Sequence, residues 1–158
     1  IVIDTHNDKS KVTGNLLVGS HVVVNVVSPD RNSFTAIYSL SDLVEKTLKP
    51  KTIPFRSKES ITDLDIVVLP NIVPFNANQM QTVARDFIEE VETLDGYVGL
   101  VPEKVEIRKS SLIGENIFAY YQKSSETEKS NMINFVENLK EIYAKITIAA
   151  CKKSIENE

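Results

Sequence analysis

The feature that most constrains this chain is its C-terminal stretch, residues 125–156, which reads as one uninterrupted amphipathic helix. Ser125 and Glu128 have the spacing of a capping box, in which each side chain satisfies a backbone N–H that the first turn leaves unpaired. Met132, Phe135, Val136, Leu139, Ile142, Tyr143, Ile146 and Ala149 then recur at three- and four-residue steps, a stripe along one side of a helix. Glu126 and Glu128 sit near the positive end of the helix dipole, Lys152 and Lys153 near the negative end. No Gly or Pro interrupts the run. At 1.5 Å per residue it extends about 45 Å, whereas a compact domain of this size is roughly 40 Å across. The helix therefore spans or overhangs the body that carries it.

Its last third is apolar on more than one side. Ala144, Ile146, Ile148, Ala149, Ala150 and Cys151 leave Lys145 and Thr147 as the polar interruptions, so two surfaces require cover. A sheet of the same chain is expected to cover one and another of its helices the other, with a helix pairing between subunits as the alternative cover for the second. That alternative makes Ile142, Ile146, Ile148, Ala149 and Ala150 candidate interface residues for a protein partner or a second copy. Cys151 in such surroundings reads as apolar filler with little reactivity.

The chain has 158 residues, 42% hydrophobic and 25% charged, which fits one domain, 1–158, able to bury a core of its own. A net charge of −4 argues against non-specific nucleic-acid binding, because neutralising phosphates needs a surplus of Lys and Arg. A single cysteine cannot close an internal disulfide, and no Asn-x-Ser/Thr acceptor occurs, so a cytoplasmic setting is the expectation. No apolar run reaches the roughly twenty residues of a membrane span. Because the chain begins at Ile1 and not Met, a leader removed by processing would leave no trace.

Strands are expected at 1–4, 16–18 and 21–27, the last a Val-rich run suited to burial. The turn formers at 28–33 suggest a hairpin into an extended segment at 34–38, followed by a short helix carrying Leu40, Leu43, Val44 and Leu48 and stopped by Pro50. Ile66-Val67-Val68-Leu69 reads as a central strand. Asn76 and Gln79 suggest a capping box opening a helix from Ala77, with Met80, Val83, Ala84, Phe87, Ile88 and Val91 on one face and Gly96 in the left-handed region after it. Residues 97–101 and 104–109 read as a hairpin with Val105 and Ile107 inward, and 116–122 as a third strand of that meander. The expected class is α+β: a mixed or mostly antiparallel sheet with two to three helices on one face, the last long and C-terminal. The alternative is an α/β, flavodoxin-like arrangement built on a βαβ unit around residues 65–69.

Chemical motifs are sparse. The phrase Ile3-Asp4-Thr5-His6-Asn7-Asp8 resembles the first metal-ligand element of metal-dependent barrel hydrolases, notably the membrane dipeptidase family. That family implies further His and acidic ligands and a barrel of at least about 200 residues. This chain is shorter, and its other histidine, His21, lies at a strand edge, so no metal site is assigned. The phrase Asp65-Ile66-Val67-Val68-Leu69-Pro70-Asn71 before a helix is similar to the strand-then-helix units of flavodoxin-like and amidotransferase-like domains. It implies a small-ligand or enzymatic site near 70–78 at the carboxyl end of that strand, without a nucleophile elbow or a glycine-rich phosphate loop.

Two charged features have solvation as their simplest role. Asp86, Glu89, Glu90, Glu92 and Asp95 form the polar side of the middle helix. Lys46, Lys49, Lys51, Arg56 and Lys58 crowd a segment that contains no acid but has Pro50, Pro54 and Phe55, and Lys49, Lys51, Arg56 and Lys58 are the candidates for holding an anionic partner. No catalytic residue and no cofactor is assigned. The functional expectation is a non-catalytic interaction or assembly subunit acting through the terminal helix, with the flavodoxin-like ligand domain as the alternative.

Overall fold

In the computed structural model, residues 2–5, 11–48, 64–76 and 79–156 are described. They contain helices around a small parallel sheet, α+β in the broad sense, with a long C-terminal helix. The elements in order are α1 (Lys11–Val18), β1 (Val22–Val27), α2 (Arg31–Leu48), β2 (Asp65–Val73), β3 (Phe75–Asn76), β4 (Gln79–Met80), α3 (Thr82–Val91), β5 (Val101–Pro102), α4 (Val105–Leu112), α5 (Ile117–Lys123) and α6 (Glu126–Glu156). Strands β1, β2 and β5 form the main sheet with β2 in the centre, and both of its pairings are parallel. The mixed or mostly antiparallel sheet expected from sequence is thus corrected to a mostly parallel one, and helices flank both faces instead of one. Parallel neighbours need long crossovers, which α2 and α3 supply; their connectivity is that of the βαβ alternative.

The register explains the two cores. Val67 and Val68 are adjacent on the central strand and therefore point to opposite faces. Val68 joins Val27, Ile37, Val73, Ala84, Phe87, Ile88 and Val91 beneath α2 and α3. Val67 joins Val98, Val101, Met132, Phe135, Val136, Leu139 and Ile142 beneath α6. A strand buried on both sides reads as a continuous apolar run, the pattern of Ile66–Leu69.

Several short segments adopt helix where alternation suggested strand. Residues 16–18 lie in α1, and 34–38 lie inside α2, whose buried Ile37 and Val44 are seven residues apart on one side. The start of α2 is fixed by Asp30, whose Oδ1 accepts from the N–H groups of Asn32 and Ser33 at 2.9 Å each. What resembled a hairpin turn is an N-cap. Residues 105–109 fall in α4, which leaves Val105 exposed, and 116–122 largely in α5, where Asn116 Oδ1 caps Ala119 N–H at 2.9 Å. Asn76 and Gln79 pair across the β3–β4 hairpin and cap no helix. The helix after them starts at Thr82, so Val83 points to solvent while Ala84, Phe87, Ile88 and Val91 are buried as expected. Residues 2–5 form no strand.

Helix α6 matches its sequence signals closely. Ser125 N–H donates to Glu128 Oε2 at 3.1 Å and Glu128 N–H donates to Ser125 Oγ at 3.4 Å, the reciprocal pair of a capping box. Its 31 residues rise about 46 Å. Asn138 Nδ2 donates to Leu100 O at 2.9 Å and Lys145 Nζ to Val98 O at 3.2 Å, so α6 runs opposite to the β5 segment beneath it.

Candidate functional site

The expected interface residues divide at the end of the core. Ile142 is 2% exposed and belongs to the chain's own core, with Ile146 partly buried against it. Ala149 and Ala150 are partly exposed, and Ile148 is 54% exposed. Cys151, expected as core or interface filler, is also exposed and so is not part of the core. Ala144, Ile148 and Cys151, all exposed and separated by four and three residues, form a second apolar stripe beside the one that packs on the sheet. Periodicity marks apolar positions without saying which side meets the sheet, so the two stripes are not separable in the sequence. Tyr143, expected on the packed stripe, is 55% exposed, although its ring lies 5.9 Å from that of Phe118.

Lys49, Lys51, Arg56 and Lys58 lie outside the described residues, as do His6 and Asp8. His21 is exposed in the bend before β1. Among the described residues no group of three His, Cys, Asp or Glu side chains could hold a metal ion, and no helix is long and apolar enough to cross a membrane.

Around 70–78, whose residues 77 and 78 are outside the described set, the carboxyl end of β2 is irregular. The β2–β5 register shifts between Asn71 and Val73, and Ile72 between them has a positive φ of 57°. A β-branched residue in that region is strained, and a bulge is where such strain is commonly held. The Asn71 side-chain oxygen accepts Ile72 N–H at 2.9 Å, which supports the turn. Helices α3 and α4 begin close in sequence after β2 and β5, with extended N-caps Gln81 and Lys104 that make no side-chain cap hydrogen bond. Such ends offer N–H donors to an anion. Among the described residues this end combines a strained Ile72 with two helix starts that lack side-chain caps.

A separate polar cleft of about 140 Å³ is lined by Glu106 and Lys109 of α4, Tyr120 of α5, and Glu128, Asn131 and Met132 of α6. Its volume equals that of about four or five water molecules. The Glu128 carboxyl is held below the usual range, first by its hydrogen bonds from Ser125 and then by the charge of Lys109. Glu128 is thus already engaged as a cap. Elsewhere the Tyr97 hydroxyl is pushed up to about 12 by burial and by Glu92, to which it donates at 3.2 Å.

The layered parallel sheet and the long terminal helix describe a class by form alone. Comparison with protein families, curated proteins and solved structures found no match.

Proposed function

We propose that this domain is a non-catalytic assembly module that docks another protein through the free end of α6. The observation that carries the reading is the 54% exposure of Ile148 on a helix that continues ten residues past Ile146, the last of its described residues packed against that core cluster. A helix end that served only to complete the fold would gain nothing from an apolar stripe on its solvent side. Ala144, Ile148 and Cys151 give that stripe the three- and four-residue spacing with which one helix receives another. The carboxyl end of β2 is the weaker candidate, because among the described residues what it offers is helix starts without side-chain caps.

Ile148→Asp tests the proposal by placing a charge in the stripe. Light scattering is expected to show loss of the associated species, while circular dichroism and melting temperature stay at the parent values. Unchanged assembly mass would overturn the reading. Unfolding would also overturn it, because that would make Ile148 part of the core.

A further inference from the structure

We infer that the partner of α6 is an acidic amphipathic helix of another protein, with Asp or Glu edging its apolar seam. The inference rests on the docking role proposed above and adds the charge of what docks. The charges of α6 divide along its length. Where the helix covers the core, Glu126 pairs with Lys129 at 3.0 Å and Glu137 with Lys140 at 2.7 Å. From Ile142 to Ile155 the sequence holds no acid, although Lys145, Lys152 and Lys153 fall there and the chain as a whole carries −4. That basic stretch contains the whole exposed stripe of Ala144, Ile148 and Cys151.

The placement of the lysines selects the partner. With Ile148 at position a of a heptad, Ala144 and Cys151 stand at d, and Lys145 and Lys152 both stand at e. At about 100° per residue the two lysines lie roughly 60° and 40° round the helix from Ile148, on the flank away from Ala144 and Cys151. Both are exposed. Lys145 Nζ donates to Val98 O at 3.2 Å, which uses one of its three donors. The helix dipole favours cations in the last turn, whereas Lys145 stands about three turns before Glu156. The g positions on the other flank hold Lys140 and Thr147, and Glu141 at the preceding a position ends the apolar seam. Charges at e and g set partner choice. A second copy seated on this stripe would oppose lysine with lysine or threonine in either direction, whereas acids on another helix would meet them. The segment between α2 and β2 has no surplus of acid to offer: residues 49–63 carry Lys49, Lys51, Arg56 and Lys58 against Glu59 and Asp63. Two of the three stripe side chains are small, a narrow seam for a closely packed helix and not the broad apolar face that holds a helix in a lipid surface.

The test uses the full chain and two labelled synthetic helical peptides of about three heptads, with Leu at a and d and either Glu or Lys at every e and g, so that like charge keeps each from pairing with itself. Fluorescence anisotropy is expected to show the parent binding the Glu peptide at least about tenfold more tightly than the Lys peptide, a preference that added salt narrows. Lys152→Glu, with unchanged circular dichroism, is expected to lose that preference. Ile148→Asp is expected to lose both peptides, which reads the docking role separately from its charge. Equal binding of the two peptides by the parent, binding of neither, or a Lys152→Glu variant that still prefers the Glu peptide would overturn the inference. Displacement of the Glu peptide by vesicles of anionic but not neutral phospholipid would also overturn it, because the basic end would then be a lipid contact. Undiminished binding of the Glu peptide by Ile148→Asp would instead overturn the docking role on which the inference rests.

Discussion

Gly96 and Gly114 both hold positive φ, at 93° and 71°, but for different physical reasons. Gly114 closes α4: its N–H bonds to Ser111 O at 3.1 Å and that of Glu115 to Ser110 O at 3.0 Å, the two bonds of a Schellman motif. A Cβ there would meet nothing within 4 Å. Gly96 lies against the central strand, where its carbonyl accepts Val68 N–H at 2.9 Å, and a Cβ would fall 2.2 Å from Ile66 O. Backbone on both sides of that contact leaves no flexible group to yield. Gly114→Ala is therefore expected to cost about 1–2 kcal/mol, the strain of a left-handed L-residue. Gly96→Ala adds a collision to the same strain and should cost at least about 4 kcal/mol, in the exceptional range for one substitution. Urea denaturation of the two variants checks the order; equal losses would show that the strand and the Gly96 turn separate easily. Gly96, expected as the left-handed end of the middle helix, does have a positive φ, but that helix caps at Glu92 and the glycine instead makes the close approach to the central strand.

At the scale of elements, helix starts depend on ionised caps, and this gives the protein an acid limit. Asp30 is held below its ordinary 3.8, first by the Ser33 N–H bond, and Glu128 below its ordinary 4.5 by its bonds from Ser125. Both are depressed in the fold, so their contribution is complete above the ordinary values and is lost as pH falls through the lowered ones. Melting temperature followed below pH 4.5 should drop more steeply for the parent than for Asp30→Asn, which keeps an oxygen acceptor and has no charge to lose. Parallel curves would remove Asp30 from the acid response. These caps also explain how much of the fold was readable. The elements legible in sequence were long or strongly periodic, as with α6, the buried face of α3, and the Val-rich and Ile66–Leu69 strands. Those misread were short. Val105 and Ile107 alternate like a strand, but two apolar residues fit either period, and the decisive signals were the terminators Asp30, Gly114 and Asn116. The candidate interface was legible only as a surplus of apolar residues, because the division between Ile142 and Ile148 depends on where the sheet ends.

For the whole molecule, β2 carries a core on each of its faces. Val68 is buried beneath α2 and α3, and its neighbour Val67 is buried beneath α6, so neither layer can detach without stripping a face of the same strand. The layers are also joined beyond β2: Lys145 of α6 donates to Val98 O, while Val98 N–H bonds to Val68 O at 3.3 Å. A cavity opened in one layer should therefore weaken both. Leu139 is 6% exposed in the α6 core, and Leu139→Ala is expected to cost about 2–5 kcal/mol. That is a large share of the roughly 5–15 kcal/mol available to a domain. The distinguishing observation is where the loss appears. Hydrogen exchange should show amides of α3, on the far side of the sheet, losing protection by the same factor as those of α6, because both open through the same global event. If α3 keeps its parent protection while α6 exchanges faster, the terminal helix is a separately melting layer and β2 does not couple the two cores.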